Sequence, residues 1–190
     1  MSTARTGLLI GLILLGVASV GCLPNVQSVR ERREAFDRGA LRGSLILDAP
    51  PANMKPIGAV FGDRAKLLGY MLEPERPTTG SRPKVTFFWS ALRPMAEEYQ
   101  IFIHGDAVGE EQSRIHGDHF PARGRYPTDV WQEGEVIQDP FTISIPPGYG
   151  GKHLGLFTGM YKGDHRVPLT DGGTRPRTGD NRSRAVDIFF

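Results

Sequence analysis

The stretch VTFFWS at residues 85–90 indicates the fold class more directly than any other part of the chain. Val85, Phe87 and Trp89 occupy every second position, and a further Phe stands between them. Side chains of a strand point alternately to its two faces, and a strand that is apolar on both faces lies inside a sheet. We therefore predict a central β-strand at this stretch.

Strand-like segments recur on both sides of this central strand. Apolar or alternating residues lie at 44–48, 65–72, 99–104, 141–145, 153–161 and 186–190. The segment 153–161 carries Gly155 and Gly159 on one face, which indicates a bend or a close approach of another group. Turn signals such as Pro-Pro-Gly at 146–148 separate the segments, and we find no convincing long amphipathic helix. This pattern favours an all-β fold, a single antiparallel β-sandwich of immunoglobulin-like or jelly-roll-like type.

The first 22 residues have the organisation of a targeting segment. Arg5 precedes a run of fourteen almost wholly apolar residues at 7–20, which is short of the roughly 20 that a membrane-spanning helix needs. Small residues lie directly before Cys22, the only cysteine of the chain, and this arrangement resembles the lipobox. We predict a cleaved signal peptide at 1–21 and a lipid anchor on Cys22; the alternative is a short uncleaved anchor. Leu23 after the cysteine is typical of lipoproteins sent to the outer membrane of the bacterial cell envelope.

Charged residues dominate the segment that follows Cys22. Ser28 and Glu31 have the spacing of a helix capping box, but a helix of about ten residues is marginal in water on its own. We therefore predict that residues 22–42 form a solvated tether and that residues 43–190 form the sandwich domain.

The composition excludes several classes of function. The formal net charge is +2 over 190 residues, and no basic stripe is present, so nucleic acid is not a predicted partner. The chain carries no phosphate-binding loop, dinucleotide fingerprint or nucleophile elbow, and we predict no cofactor. The pairs Glu97-Glu98 and Glu110-Glu111 are adjacent in sequence and would point to opposite faces of a strand. Such pairs do not flank one scissile bond, so we predict that the chain is not an enzyme.

A set of short motifs extends from residue 57 to residue 190. They are FGD at 61–63, LLGY at 67–70, FW at 88–89, YQIFIH at 99–104, DHFP at 118–121, YPT at 126–128, WQEGE at 131–135, Asp139, IP at 145–146, GMY at 159–161 and RVPL at 166–169. Together they resemble a soluble domain appended to membrane-embedded glycosyltransferases of the dolichyl-phosphate-mannose mannosyltransferase type, which also occurs in envelope lipoproteins. The resemblance implies a sandwich shaped like a carbohydrate-binding module. It implies no transferase activity, because the membrane portion of those enzymes is absent from this sequence.

Four residues are candidate ligand contacts. His104, Asp118, Tyr126 and Trp131 lie in or beside predicted loops and strand ends. Exposed aromatic rings beside hydrogen-bonding Asp and His side chains would form a saccharide site. The alternative for Trp131 is that it closes one end of the core, as large aromatic side chains usually do.

Histidine spacing raises a second kind of site. If the segments around them pair, His104, His116, His119 and Asp118 converge on a divalent metal ion with imidazole and carboxylate ligands. The spacing lacks the helical HExxH context, and no cysteine supports it. We therefore assign His104 or Asp118 a structural role in binding turn backbone, and we predict no metal.

These patterns predict a non-catalytic, membrane-tethered lipoprotein of the bacterial envelope that acts as a binding or accessory module for glycans. The alternative is a structural subunit that docks on another envelope protein through a sheet face or an edge strand. A solvent-exposed cleft would favour the first interpretation, and an exposed apolar sheet face without a cleft would favour the second.

Overall fold

The computed structural model of the chain describes residues 27–107, 115–177 and 179–190. One α-helix, α1 (Val29–Ala35), precedes the strands. The strands are β1 (Ile46–Leu47), β2 (Lys55–Phe61), β3 (Ala65–Glu73), β4 (Lys84–Ala91), β5 (Gln100–Ala107), β6 (Ile115–His116), β7 (Val136–Thr142), β8 (His153–Lys162), β9 (His165–Arg166), β10 (Leu169–Asp171) and β11 (Ser183–Phe189). Short 3-10 segments lie at Gly39–Leu41, Pro121–Gly124 and Thr128–Val130.

The strands form two antiparallel sheets that pack against each other. The first sheet has the order β1-β7-β4-β3-β2-β10. The second has the order β11-β8-β5-β6, and β9 pairs with the end of β8. This arrangement confirms the predicted all-β sandwich.

Strand β4 occupies the centre of the first sheet, as its sequence predicts. It lies between β3 and β7, and its residues 85–89 are all buried. Phe87 and Trp89 face the core that the two sheets share. Ile101 and Ile103 of β5 belong to the same core. Full burial of a side chain of this size stabilises the fold by roughly 1.5–3 kcal/mol, so the aromatic centre contributes a large share of the packing energy.

The segment predicted as a tether is partly a component of the domain. Helix α1 begins with the predicted capping box, since the Ser28 hydroxyl accepts a hydrogen bond from the Glu31 amide and the Glu31 carboxylate accepts one from the Ser28 amide. After the helix, Phe36 packs on Tyr126 with 5.4 Å between ring centroids, and Leu41 is buried in the core.

Arg38 fixes this segment to the domain. Its side chain is only 9% exposed, and its guanidinium donates hydrogen bonds to the carbonyl oxygens of Arg33, Phe36 and Val130. It also lies 3.3 Å from the carboxylate of Glu135. The predicted boundary after residue 42 is therefore too late: the packed domain includes the segment from α1 onward, because a buried arginine and a buried leucine hold that segment in place.

The predicted signal peptide and Cys22 lie outside the described residues. Among the residues that are described, no helix has both the length and the apolar character needed to cross a membrane.

Candidate functional site

Two of the four candidate ligand contacts are core residues. Tyr126 and Trp131 are both 0% exposed. The Trp131 indole donates a hydrogen bond to the Tyr126 carbonyl oxygen at 3.0 Å, and the Tyr126 hydroxyl donates one to the Glu135 carboxylate. Burial, together with Glu135, raises the pKa of Tyr126 well above its usual range. Because neither ring presents a face to solvent, the prediction that these residues contact a ligand is wrong, and the core alternative for Trp131 is confirmed.

The other two candidates, His104 and Asp118, lie close together on the outer face of the second sheet. His104 is opposite His116 in the β5–β6 ladder, and the same register continues to the bridge between Ile101 and His119. Asp118 follows His116 by two residues and so lies on the same face. Its Oδ1 accepts a hydrogen bond from the Ile103 amide at 3.0 Å and lies 4.0 Å from Nε2 of His104.

The three side chains His104, His116 and Asp118 therefore form a cluster, which we call the histidine cluster. One nitrogen or oxygen atom from each lies within 4.8 Å of the corresponding atom of the others. The imidazole rings of His104 and His116 stand 5.1 Å apart at 77°. His104 is buried, whereas His116 and Asp118 are exposed, so the cluster is open to solvent on one side.

His119, the fourth residue of the possible metal site considered from the sequence, does not point into the histidine cluster. Its Nε2 lies 3.1 Å from the carboxylate of Asp139, which is 0% exposed, and its Nδ1 lies 2.7 Å from the Gly117 carbonyl oxygen. Burial lowers the pKa of His119, but the hydrogen bond and charge of Asp139 outweigh that effect and raise it overall. His119 is therefore bound within the protein, by Asp139 and the Gly117 backbone, and does not join His104 and Asp118.

A large groove lies at one end of the sandwich, where the chain passes from the second sheet to the first. Strand β8 ends in a hairpin turn at Gly163, which has a φ of 56° that favours glycine, and the chain returns through β9. It then reaches β10, which pairs with β2. The amide of Val167 donates to the Met160 carbonyl oxygen at 2.8 Å, and the Gly62 amide donates to that of Pro168, also at 2.8 Å. These bonds fix the segment as one wall of the groove.

This hairpin groove has a volume of about 780 Å³. The buried core residues Phe61, Met95 and Met160 form its floor. Its other lining residues are Gly62, Arg64, Glu97, Tyr99, Lys162, Gly163, Asp164, His165, Arg166, Val167 and Pro168. Ligand pockets typically enclose 300–1,000 Å³ with an apolar lining and a few polar groups, so the hairpin groove has the dimensions and composition of a binding site.

Charged side chains form the rim of the hairpin groove. Lys162 and Glu97 form an ion pair there, with 3.4 Å between Nζ and Oε2. The Arg64 guanidinium donates to the Pro94 carbonyl oxygen at 2.6 Å. These groups supply hydrogen-bond donors and acceptors of both charges around an apolar floor.

A smaller pocket of about 220 Å³ adjoins the hairpin groove. The two cavities share Gly163, Asp164 and Arg166, and the smaller one is also lined by His104 and Asp118 of the histidine cluster. Phe102 and Tyr161 complete its lining. Burial, with the nearby charge of Asp118, raises the pKa of Tyr161. The hairpin groove and the histidine cluster are thus neighbouring parts of one surface.

Gly159 leaves room for the ring of Phe102, which lines the smaller pocket. A side-chain carbon on Gly159 would lie 2.7 Å from two ring carbons of Phe102, so the Phe102 ring occupies the space that the glycine leaves. The Arg166 guanidinium lies 4.7 Å from the centre of that ring. The close approach predicted at the glycines of residues 153–161 is confirmed at Gly159.

The sequence interpretation missed the hairpin groove, since none of the four candidate contacts lines it. Arg64, Tyr99 and Lys162 were not among the candidate contacts, because the groove is assembled from segments around residues 61–64, 95–99 and 160–168 that are distant in sequence. The motifs GMY at 159–161 and RVPL at 166–169 flank the hairpin, but their spacing alone does not indicate a cavity.

Of the two adjacent glutamate pairs, the first contributes Glu97, which contacts Lys162 at the rim of the hairpin groove. Glu110 and Glu111 lie outside the described residues.

Comparisons with known proteins identify no relative. The sequence matches no protein-family model and no curated protein, and the structure matches no solved structure. The resemblance to the domain of mannosyltransferase-like membrane proteins therefore stays a prediction.

Proposed function

We propose that this chain is a non-catalytic binding module of the bacterial envelope that binds envelope glycans in the hairpin groove. In this proposal a lipid on Cys22 tethers the module to the outer membrane. The observation that carries the proposal is the hairpin groove itself, a cavity of about 780 Å³ with an apolar floor and a charged rim. A solvent-exposed cleft is the feature that favours a binding module over a docking subunit.

The lining of the hairpin groove suits a sugar. A sugar ring has an apolar C–H face and a rim of hydroxyl groups, so it needs apolar surface below and hydrogen-bonding groups at the side. The partly exposed ring of Tyr99 and the side chains of Val167 and Pro168 supply the apolar surface. Glu97 and Lys162 supply the hydrogen-bonding groups.

The anchored domain would stay close to the membrane. Helix α1 is fixed to the domain by the Arg32–Asp129 ion pair and by a hydrogen bond of 2.5 Å from Arg33 to the Met95 carbonyl oxygen. Only the six residues 23–28 separate Cys22 from that helix, and six residues span at most about 22 Å. A lipid on Cys22 would therefore keep the domain, and with it the hairpin groove, close to the membrane and to nearby envelope components.

Calorimetry of the full chain in detergent with a panel of neutral, amino and acidic oligosaccharides tests this proposal. We expect one class to bind, and we expect Tyr99→Ala to weaken it about twofold to twelvefold, because an aromatic contact contributes about 0.5–1.5 kcal/mol. Tyr70→Ala is the matched control, since Tyr70 is also half-buried against the core but does not line the groove. Equal affinity in the two variants, or no binding by any oligosaccharide, would contradict the proposal.

A docking subunit is the second candidate, and one observation favours it. Strand β11 is at the edge of the second sheet, and Phe189 near its end is 66% exposed. An exposed strand edge with an apolar side chain is a surface to which another chain can add a strand. A photo-crosslinker at Phe189 that captures one envelope protein in intact cells, together with no oligosaccharide binding, would favour this candidate.

A further inference from the structure

We propose that the histidine cluster of His104, His116 and Asp118 is a binding site for a divalent transition-metal ion of the zinc class. This inference does not depend on the glycan proposal, because it concerns another ligand and other residues. It reverses the interpretation from sequence, which predicted no metal and assigned His104 or Asp118 a structural role.

The ladder between β5 and β6 places the three ligands on one face of the sheet. The backbone of residues 101 and 119 exchanges two hydrogen bonds, at 2.8 and 2.9 Å. Hydrogen-bonded and non-hydrogen-bonded pairs alternate along an antiparallel ladder, so the His104–His116 pair, three positions further, is of the non-hydrogen-bonded type. Side chains approach each other most closely in such pairs, which brings the two imidazoles together.

The Asp118 carboxylate completes the set and is oriented by the backbone. In a regular ladder the Ile103 amide would donate to the carbonyl oxygen of Gly117. Instead it donates to Asp118 Oδ1 at 3.0 Å, and the Gly117 carbonyl oxygen faces His119. The hydrogen bond holds the carboxylate against the sheet beside His104, as outer partners commonly orient metal ligands.

The donor atoms are close to the separations that a metal requires. Zinc binds imidazole and carboxylate at about 2.0–2.2 Å, so neighbouring ligand atoms of a tetrahedral site lie about 3.3 Å apart. The three atoms here lie within 4.8 Å of one another, with 4.0 Å between His104 and Asp118. Because His116 and Asp118 are exposed, rotation of their side chains can close this difference of at most about 1.5 Å.

The donor chemistry selects the class of ion. Two imidazoles suit zinc and its neighbours in the first transition series, whereas magnesium and calcium prefer sites built wholly of oxygen ligands. Three protein ligands also leave a fourth position open, as in metal sites that bind a further ligand. His104 and Asp118 also line the smaller pocket, whose lining includes a second carboxylate, Asp164, and one cation, Arg166.

Calorimetric titration of Zn²⁺ into the full chain in detergent tests the site. The protein carries Cys22→Ala, which removes the only thiol and thus a competing ligand. We expect one ion per chain, with no comparable heat from Mg²⁺ or Ca²⁺. His116→Ala should weaken Zn²⁺ binding about 100-fold or more, because removal of an outer partner alone costs 10- to 100-fold.

Two further variants separate ligation from other effects. Asp118→Asn keeps an oxygen that can accept from the Ile103 amide but removes the charge, and it should also weaken Zn²⁺ binding. His165→Ala is the matched control, because His165 is an exposed histidine on the neighbouring hairpin outside the cluster. Absence of a single-site titration with Zn²⁺, or equal affinity in the His116→Ala and His165→Ala proteins, would overturn the proposal.

Discussion

Arg38→Ala should be one of the most destabilising single substitutions in the chain. The Arg38 side chain is 9% exposed and contacts the Glu135 carboxylate, which is 10% exposed, at 3.3 Å. It also donates to three carbonyl oxygens, and its Nε lies 3.2 Å from the Tyr126 hydroxyl. Removal of the guanidinium leaves a buried carboxylate without its cation and several buried acceptors without a donor.

The expected loss is about 3–5 kcal/mol in the free energy of unfolding, the usual cost of removing one partner from a buried ion pair. Domains of this kind are stable by about 5–15 kcal/mol, so the variant would lose roughly a fifth or more of its stability. Urea unfolding of residues 27–190, followed by tryptophan fluorescence, measures the change, since Trp89 and Trp131 are both fully buried. A fragment of residues 41–190 lacks Arg38 and should show a loss at least as large.

Arg30→Ala is the control for this prediction. Arg30 pairs with Glu34 on the exposed side of α1, where its side chain is 83% exposed, and such pairs contribute little. The double variant Arg38→Ala, Glu135→Gln should lose less than the sum of the single losses, because the glutamine removes the uncompensated charge. An Arg38→Ala protein within about 1 kcal/mol of the unsubstituted protein would refute the reasoning, as would full stability of the 41–190 fragment.

Three further predictions concern other parts of the chain. The stabilisation from the His119–Asp139 pair should be complete below about pH 6.5, the ordinary pKa of histidine, and should disappear as the pH rises through the raised pKa of His119. The loss of unfolding free energy in His119→Gln should therefore shrink as the pH rises. A loss that does not change between about pH 5.5 and 8.5 would count against this prediction. Gly159→Ala should lower the free energy of unfolding by about 1–3 kcal/mol, because the added methyl would overlap the Phe102 ring, and an unchanged melting temperature would contradict this packing. Cys22→Ala should leave the fold intact but release the protein from membranes, and retention of the variant in the membrane fraction would exclude the lipid anchor.

The sequence predicted the strands whose patterns are local and regular. Strand β4 shows its place in the sheet through apolar residues on both faces, and β8 agrees with its predicted bounds to within one residue. Strand β2 was missed, because Pro56 and Gly58 interrupt its alternation; Gly58 has a φ of 82°, and the pairing with β3 shifts between Pro56 and Ala59.

One predicted strand is displaced for a related reason. The segment 141–145 was predicted as a strand, whereas β7 is Val136–Thr142. Asp139 and Pro140 make that region look like a turn, yet Asp139 is fully buried, where it contacts His119 and accepts a hydrogen bond from the Ala122 amide at 2.8 Å. A buried carboxylate with partners from a distant loop cannot be inferred from the pattern of its own strand.

The candidate site was predictable only in part for the same physical reason. The sequence placed His104 and Asp118 among the candidate contacts, and the pairing of β5 with β6 brings them together. It also selected Tyr126 and Trp131, which are buried. Whether an aromatic side chain in a loop is buried depends on what packs over it, and the sequence of the loop does not show that. Here Phe36 packs on Tyr126 from the segment that was predicted as a tether.

The most direct test of the proposed function is to map where an oligosaccharide binds, by amide chemical-shift changes in the ¹⁵N-labelled domain of residues 27–190. The account predicts that the largest changes cluster at the hairpin groove, on Lys162, Gly163 and Val167, while the edge strand β11 stays unchanged. Changes centred on β11, or no change with any oligosaccharide of the panel, would contradict the claim that the hairpin groove is a glycan site.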